Sequence, residues 1–234
     1  MAGNNPARTF KALSALLSYP SLELQGAAGE IYAVIRSEEL VDPAMRYGLE
    51  RLLNELEDGD LFDLQAAYVD LFDKTRRLSL HLFEHIHGES RDRGQAMVDL
   101  IGHYEAGGLM MTASELPDYL PLFLEFLSTR PLPEARALLG ETAHILALLE
   151  ERLAGRDSAY AAIFAALRQL AGEGHAAPQS PEPEETLDDL AALDAAWEET
   201  AVGFGPGEAL DGCSSDRLKT RLRAARRDVT HSAA

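Results

Sequence analysis

His81, His85 and His87 stand within seven residues of one another in the stretch SLHLFEHIHGESRDRG, Ser79 to Gly94, with Glu84 and Glu89 among them. Imidazoles and carboxylates are the donors of zinc sites, and a spacing of four brings His81 and His85 onto one helical face. The HExxH pattern of metalloproteases is absent, so a third ligand has to be Glu84, Glu89 or a remote group such as His103. Leu78, Leu82, Phe83 and Ile86 border the histidines. In a helix with such neighbours they read as hydrogen-bonding groups on a packing or recognition face, and no bound metal is expected.

Other catalytic chemistry finds less support. There is no GxSxG elbow, and Cys213, the single cysteine, has no local histidine to activate it. No GxGxxG follows a strand and no GxxxxGK[ST] loop is present, so nucleotide cofactors lack their usual cradle. Paired carboxylates are abundant in a chain with 39 Asp and Glu, and pairing alone carries no acid or base assignment. Arg76, Arg77, Arg91 and Arg93 could meet phosphates, or pair with the surrounding carboxylates. These observations predict a protein that is not an enzyme.

A second stretch, ELPDYLPLFLEFL at 115–127, has the makings of a helix start. Pro117 favours an extended Leu116 and opens a first turn, which then holds Asp118 near free amides and the positive end of the helix dipole. Asp118 is expected at the rim of a groove, ready for a basic or amide group of a peptide.

The elements that must position these residues are helical. Phe10, Leu13, Leu16 and Leu17 form one stripe that Pro20 closes, and a second helix is expected over 23–36. Pro43 opens a third, ahead of Met45, Leu49, Leu52, Leu53 and Leu56. Asp60 is placed to cap a fourth, through Leu61, Leu64, Tyr68, Leu71 and Phe72. Further stripes run through Met97, Leu100, Ile101 and Tyr104, and through Leu120, Phe123, Leu124 and Leu127. One long helix is expected from about Pro133 through Leu138, Ile145, Leu149 and Leu153, and a shorter one over Tyr160, Phe164 and Leu167. Strand patterns are almost absent. Helices with one dry face bury it on one another, which predicts an all-α protein: a single antiparallel bundle of about eight or more helices.

Composition bounds the partners. The 234 residues carry a formal net charge of −18, which disfavours nucleic acid and anionic membrane surfaces and favours a basic or amphipathic peptide. No apolar run approaches the roughly 20 residues of a membrane span and no signal peptide is apparent, so a cytoplasmic protein without direct membrane insertion is expected. The character changes at 172, where GEGHAAPQSPEPEE reads as a flexible link. The expected organisation is a helical domain over 1–171, an acidic linker and partly irregular docked tail over 172–215 with Trp197, Val202 and Phe204 as anchors, and a basic helix or disordered tail over 216–234.

Three blocks resemble the nitrate reductase maturation chaperones, the NarJ type within the larger TorD-like group of redox-enzyme chaperones. The first is YVDLFDKTRRLSLHLFEHIHGESRDRGQAMVDL, Tyr68 to Leu100. The second, ELPDYLPLFLEFL, corresponds to ExPDHxxxxLEF, with Glu115, Pro117, Asp118, Leu124, Glu125 and Phe126 in place. The third is WEETAVGFGPGEALDGC in the tail, and together the likeness spans roughly residues 8 to 215.

The resemblance implies an all-helical, cytoplasmic, non-enzymatic chaperone. It implies binding to the N-terminal peptide of the catalytic (alpha) subunit of respiratory nitrate reductase, and support for insertion of bis-molybdopterin guanine dinucleotide before membrane attachment. That cofactor belongs to the client and is not held permanently; cofactor biosynthesis proteins are further implied partners. Tyr68, Leu71 and Phe72 match the aromatic-x-x-Leu-Phe motif of the wider group, and Asp118 matches its motif aspartate. Tyr119 replaces the usual histidine, which removes a titrating imidazole there and leaves a phenol for hydrogen bonding. The expected peptide-binding set is Tyr68, Leu71, Phe72, Arg76, His81, His85, Asp118 and Tyr119. Direct binding of the molybdenum cofactor or a guanine nucleotide, and a permanent structural subunit, are the alternatives.

Overall fold

The computed structural model describes residues 7–86, 92–111 and 115–172. All lie in the first of two units into which the chain divides, 1–184 and 185–234. The expected linker, the tail anchors, Cys213 and the basic C-terminal segment therefore lie outside the described residues, as do His87, Glu89 and Arg91.

Nine α-helices form among the described residues: α1 Arg8–Leu16, α2 Leu22–Glu38, α3 Pro43–Asp58, α4 Leu61–Phe72, α5 Asp92–Ala106, α6 Leu120–Leu127, α7 Leu132–Glu141, α8 Ala143–Ala154 and α9 Ala161–Ala171. The all-α expectation is borne out. Several starts follow from local chemistry. Ser21 caps α2 by accepting from the Leu24 amide, Pro43 opens α3, and Asp60 caps α4 by accepting from the amides of Phe62 and Asp63.

The core is built where the dry stripes meet. Phe10, Leu13 and Leu16 of α1, Leu120, Leu124 and Leu127 of α6, Leu146, Leu149 and Leu153 of α8, and Ile163, Phe164 and Leu167 of α9 are wholly buried. Each such side chain contributes about 1.5–3 kcal/mol on leaving water. α1 packs on α6 and α2, while α9 gathers α3, α7 and α8. The α3–α9 crossing is tight because Gly48 has no side chain: a Cβ there would stand 2.9 Å from the Ala162 Cβ.

Two expectations are corrected. The long helix through 133–153 is two helices, α7 and α8, broken at Thr142. Its Oγ1 and its amide both donate to the Leu139 carbonyl, closing a tight turn that ends α7 and lets both helices reach α9. Nor do residues 79–86 of the histidine stretch form an α-helix. After α4 the chain forms 3-10 turns at Arg76–Leu78 and Leu82–Glu84, with His81 extended between them in an isolated antiparallel bridge to Tyr119. The reason is competition for amides. Leu82 donates to the Asp118 carbonyl at 3.0 Å and Leu120 to the Leu80 carbonyl at 2.8 Å, so both segments spend their backbone groups on each other.

Candidate functional site

The bridge brings the two motif stretches together around one carboxylate. Asp118 is wholly buried. Its Oδ1 lies 3.2 Å from His81 Nδ1, its Oδ2 accepts from the Phe83 amide at 3.1 Å, and the Arg93 guanidinium stands 3.8 Å from Oδ2. Since a carboxylate only accepts, the proton of a neutral His81 sits on Nδ1. The hydrogen bond to Asp118 raises the His81 pKa, against burial, which lowers it. Arg93 also donates to Glu84 at 3.3 Å, so this cation serves two carboxylates.

This geometry corrects two expectations for Asp118. It does not sit in the first turn of its own helix: α6 begins at Leu120, and the amide Asp118 satisfies belongs to the turn at 82–84. Nor is it an exposed rim carboxylate, because burial and three internal neighbours leave it no open face. It is a clamp, and the 80–86 segment keeps its shape because Asp118 holds it.

A phenol and aromatic cluster adjoins the clamp. The Tyr68 hydroxyl donates to the Leu17 carbonyl at 2.8 Å, satisfying a group left open at the C-terminus of α1. With that proton committed, the Tyr119 hydroxyl, 3.2 Å away, is the donor to Tyr68. Desolvation raises the pKa of both phenols, so they stay neutral hydrogen-bonding groups. Tyr68 packs on Phe72 at 4.9 Å, on Tyr160 at 6.2 Å and on Tyr19 at 5.5 Å, and His81 lies 5.4 Å from the Tyr119 ring.

The expected set thus divides. His81, Tyr119, Tyr68 and Asp118 come together, and Phe72 backs Tyr68. Tyr68 and Phe72 are buried, Leu71 is half-buried against the core, and Arg76 is exposed. His85 does not share a face with His81. Its Nε2 lies 2.8 Å from the Ser79 carbonyl and so carries the proton, while burial lowers its pKa. Among the described residues no group of three or more His, Cys, Asp or Glu could hold a metal ion. Sequence reasoning missed the supports of the site: Tyr104, whose hydroxyl donates to the Pro117 carbonyl at 2.7 Å, and Tyr160. Tyr104 lay on a recognised apolar stripe, but nothing in that stripe names its partner.

The chain matches the family model described as nitrate reductase delta subunit over residues 38–166. The chain belongs to that family. Within it, the chain is 45% identical to the nitrate reductase molybdenum cofactor assembly chaperone NarJ of Escherichia coli (strain K12), over 90% of this chain and 89% of that protein. It is 42% identical to the probable assembly chaperone NarW of the same organism, over 94% and 93% of the two chains. A probable NarJ of Bacillus subtilis (strain 168) is 34% identical over 67% and 84%. These family members bear the names of assembly chaperones and not of catalysts, in agreement with a chain lacking catalytic motifs. The clamp residues Asp118, His81 and Phe83 all fall inside the stretch that matches the family model. No described helix is long and apolar enough to cross a membrane.

Proposed function

We propose that this protein is a maturation chaperone of respiratory nitrate reductase. It binds the N-terminal peptide of the catalytic subunit in the cytoplasm and keeps that subunit open to its molybdenum cofactor, bis-molybdopterin guanine dinucleotide, until the enzyme attaches to the membrane. The observation that carries this reading is the 45% identity to an assembly chaperone along nine-tenths of the chain. The acidic balance of the chain supports it, since a net charge of −18 attracts a basic peptide.

In this proposal the expected site residues take two kinds of role. Exposed Arg76 and half-buried His81 and Tyr119 face the peptide, while buried Tyr68, Phe72 and Asp118, with Leu71 packed on the core and His85 bonded to the Ser79 carbonyl, hold the surface in shape from beneath. The direct-carrier alternative gains nothing from Arg93, whose guanidinium is engaged by Glu84 and Asp118.

Calorimetric titration with a synthetic peptide of the client's N-terminal residues, against a scrambled control, tests the reading. Saturable heat for the true sequence alone is expected. Equal behaviour of the two peptides would remove the peptide-binding role. A parallel readout is the molybdenum content of nitrate reductase isolated from a strain lacking this protein: an enzyme with its full complement of metal would remove the maturation role.

A further inference from the structure

Helix α4 is more apolar than its burial requires. It reads LFDLQAAYVDLF, yet only Tyr68 and Phe72 are buried. At 3.6 residues per turn, Phe62, Ala66 and Val69 fall on one stripe, about a half-turn from Leu64 and Leu71, which pack on the core. Phe62 is 79% exposed. Ala66 is also exposed and Val69 half-exposed. The Gln65 side chain donates to the Pro20 carbonyl at 2.9 Å, which moors this face beside the α1–α2 turn. There Tyr19, 49% exposed, stacks edge-on against Tyr68, and Leu22 is 72% exposed.

We propose that the outward stripe of α4, Phe62, Ala66 and Val69 with Tyr19 and Leu22 beside it, is a docking surface for an amphipathic helix bearing basic side chains next to its apolar ones. The inference rests on the peptide-binding reading above and extends the peptide's contact to a surface beyond the residues named there. Three observations fix the occupant's chemistry. Spacings of four and three match the i, i+3, i+4, i+7 anchors of a helix laid along a helix, and Ala66 leaves a notch between Phe62 and Val69 for one large apolar side chain. Asp63 and Asp70 lie about a quarter-turn to one side of the stripe, where they meet cations on a docked helix. Lys74 pairs with Asp70 and leaves Asp63 the stronger attraction. A second copy of this chain is disfavoured as occupant, because it would bring the same carboxylates on an equally acidic body. The buried Tyr68 touches Tyr19 on one side and Tyr119, beside His81, on the other, so the two surfaces are near enough for one peptide to cover both.

The test is fluorescence anisotropy of the labelled N-terminal peptide of the client's catalytic subunit, titrated with the full chain and three variants. Phe62→Ser and Ala66→Glu change exposed positions and leave the core untouched; Tyr47→Ser removes an aromatic that is 77% exposed on α3. The expected result is binding by wild type, weakened about tenfold or more by each α4 variant and unchanged by Tyr47→Ser. Wild-type affinity in both α4 variants would overturn the docking surface and leave the chaperone reading standing. Equal losses in all three variants would overturn it too, since the effect would not be local to α4. Wild type failing to distinguish the peptide from its scrambled form would overturn the peptide-binding reading, and the α4 assignment with it.

Discussion

Asp118 matters at the residue scale because it is buried with its charge balanced by neighbours. Removing this acceptor leaves the Phe83 amide and the His81 Nδ1 proton without their partner and Arg93 with Glu84 alone, so Asp118→Ala is expected to cost about 3 kcal/mol or more in urea unfolding. Any loss of peptide binding in that variant then reports the collapse of the 80–86 segment, not a lost contact. The two neighbouring histidines titrate in opposite senses. His81 has a raised pKa, so its extra stabilisation is fully present below its ordinary value of 6.5 and declines as pH rises through the raised one. Wild type minus His81→Asn, followed by thermal unfolding, should shrink as pH climbs above 6.5. His85 has a lowered pKa, so its contribution is present above 6.5 and is lost as pH falls toward the lowered value. The difference between wild type and His85→Gln should shrink on the acid side instead.

At the scale of elements, several helix ends are completed by side chains far away in sequence. α1 follows Ala7, which offers no side-chain cap. The carboxylate of Glu38, at the end of α2, accepts instead from the amides of Arg8 at 3.0 Å and Thr9 at 2.8 Å and from the Thr9 hydroxyl at 2.7 Å. Tyr68 serves the other end of α1 through Leu17, and Gln25 donates to the Leu56 and Gly59 carbonyls at the end of α3. Burial works against the Glu38 charge, but the Thr9 and Arg8 hydrogen bonds outweigh it and lower the pKa. Glu38→Gln should therefore cost about 1 kcal/mol at neutral pH. The deficit should disappear as pH falls below 4.5 and through the lowered value, because wild type then loses the same charge. Urea unfolding of the pair at several pH values measures it.

The whole molecule acts through its charge. On a body with a formal net charge of −18, long-range attraction for the proposed basic peptide speeds encounter more than it holds the complex. Stopped-flow association of the client peptide should slow by about tenfold or more as ionic strength rises from about 0.02 to about 0.5 M, with a far smaller change in dissociation. Equal changes in both rates would place the electrostatics inside the contact rather than in the approach.

The sequence by itself determined the helical class, most helix starts and the family. These follow from signals read within a turn or two of chain: apolar spacing, Pro43 at a first turn, Asp60 as a cap, and the two motif stretches. It singled out Tyr68, Asp118 and Tyr119, which the fold brings together around His81, without saying how they meet. Tertiary structure alone decided that His81 is extended between two 3-10 turns, that Thr142 divides one periodic stripe into two helices, and that Asp118 faces inward. It also decided which apolar residues of α4 stay in water. For His81, Asp118 and α4 the physical reason is common: each depends on which distant group accepts an amide or covers a side chain, and a periodic pattern names the face but not its partner. The break at Thr142 turns on its bonds to the Leu139 carbonyl, which apolar spacing does not register.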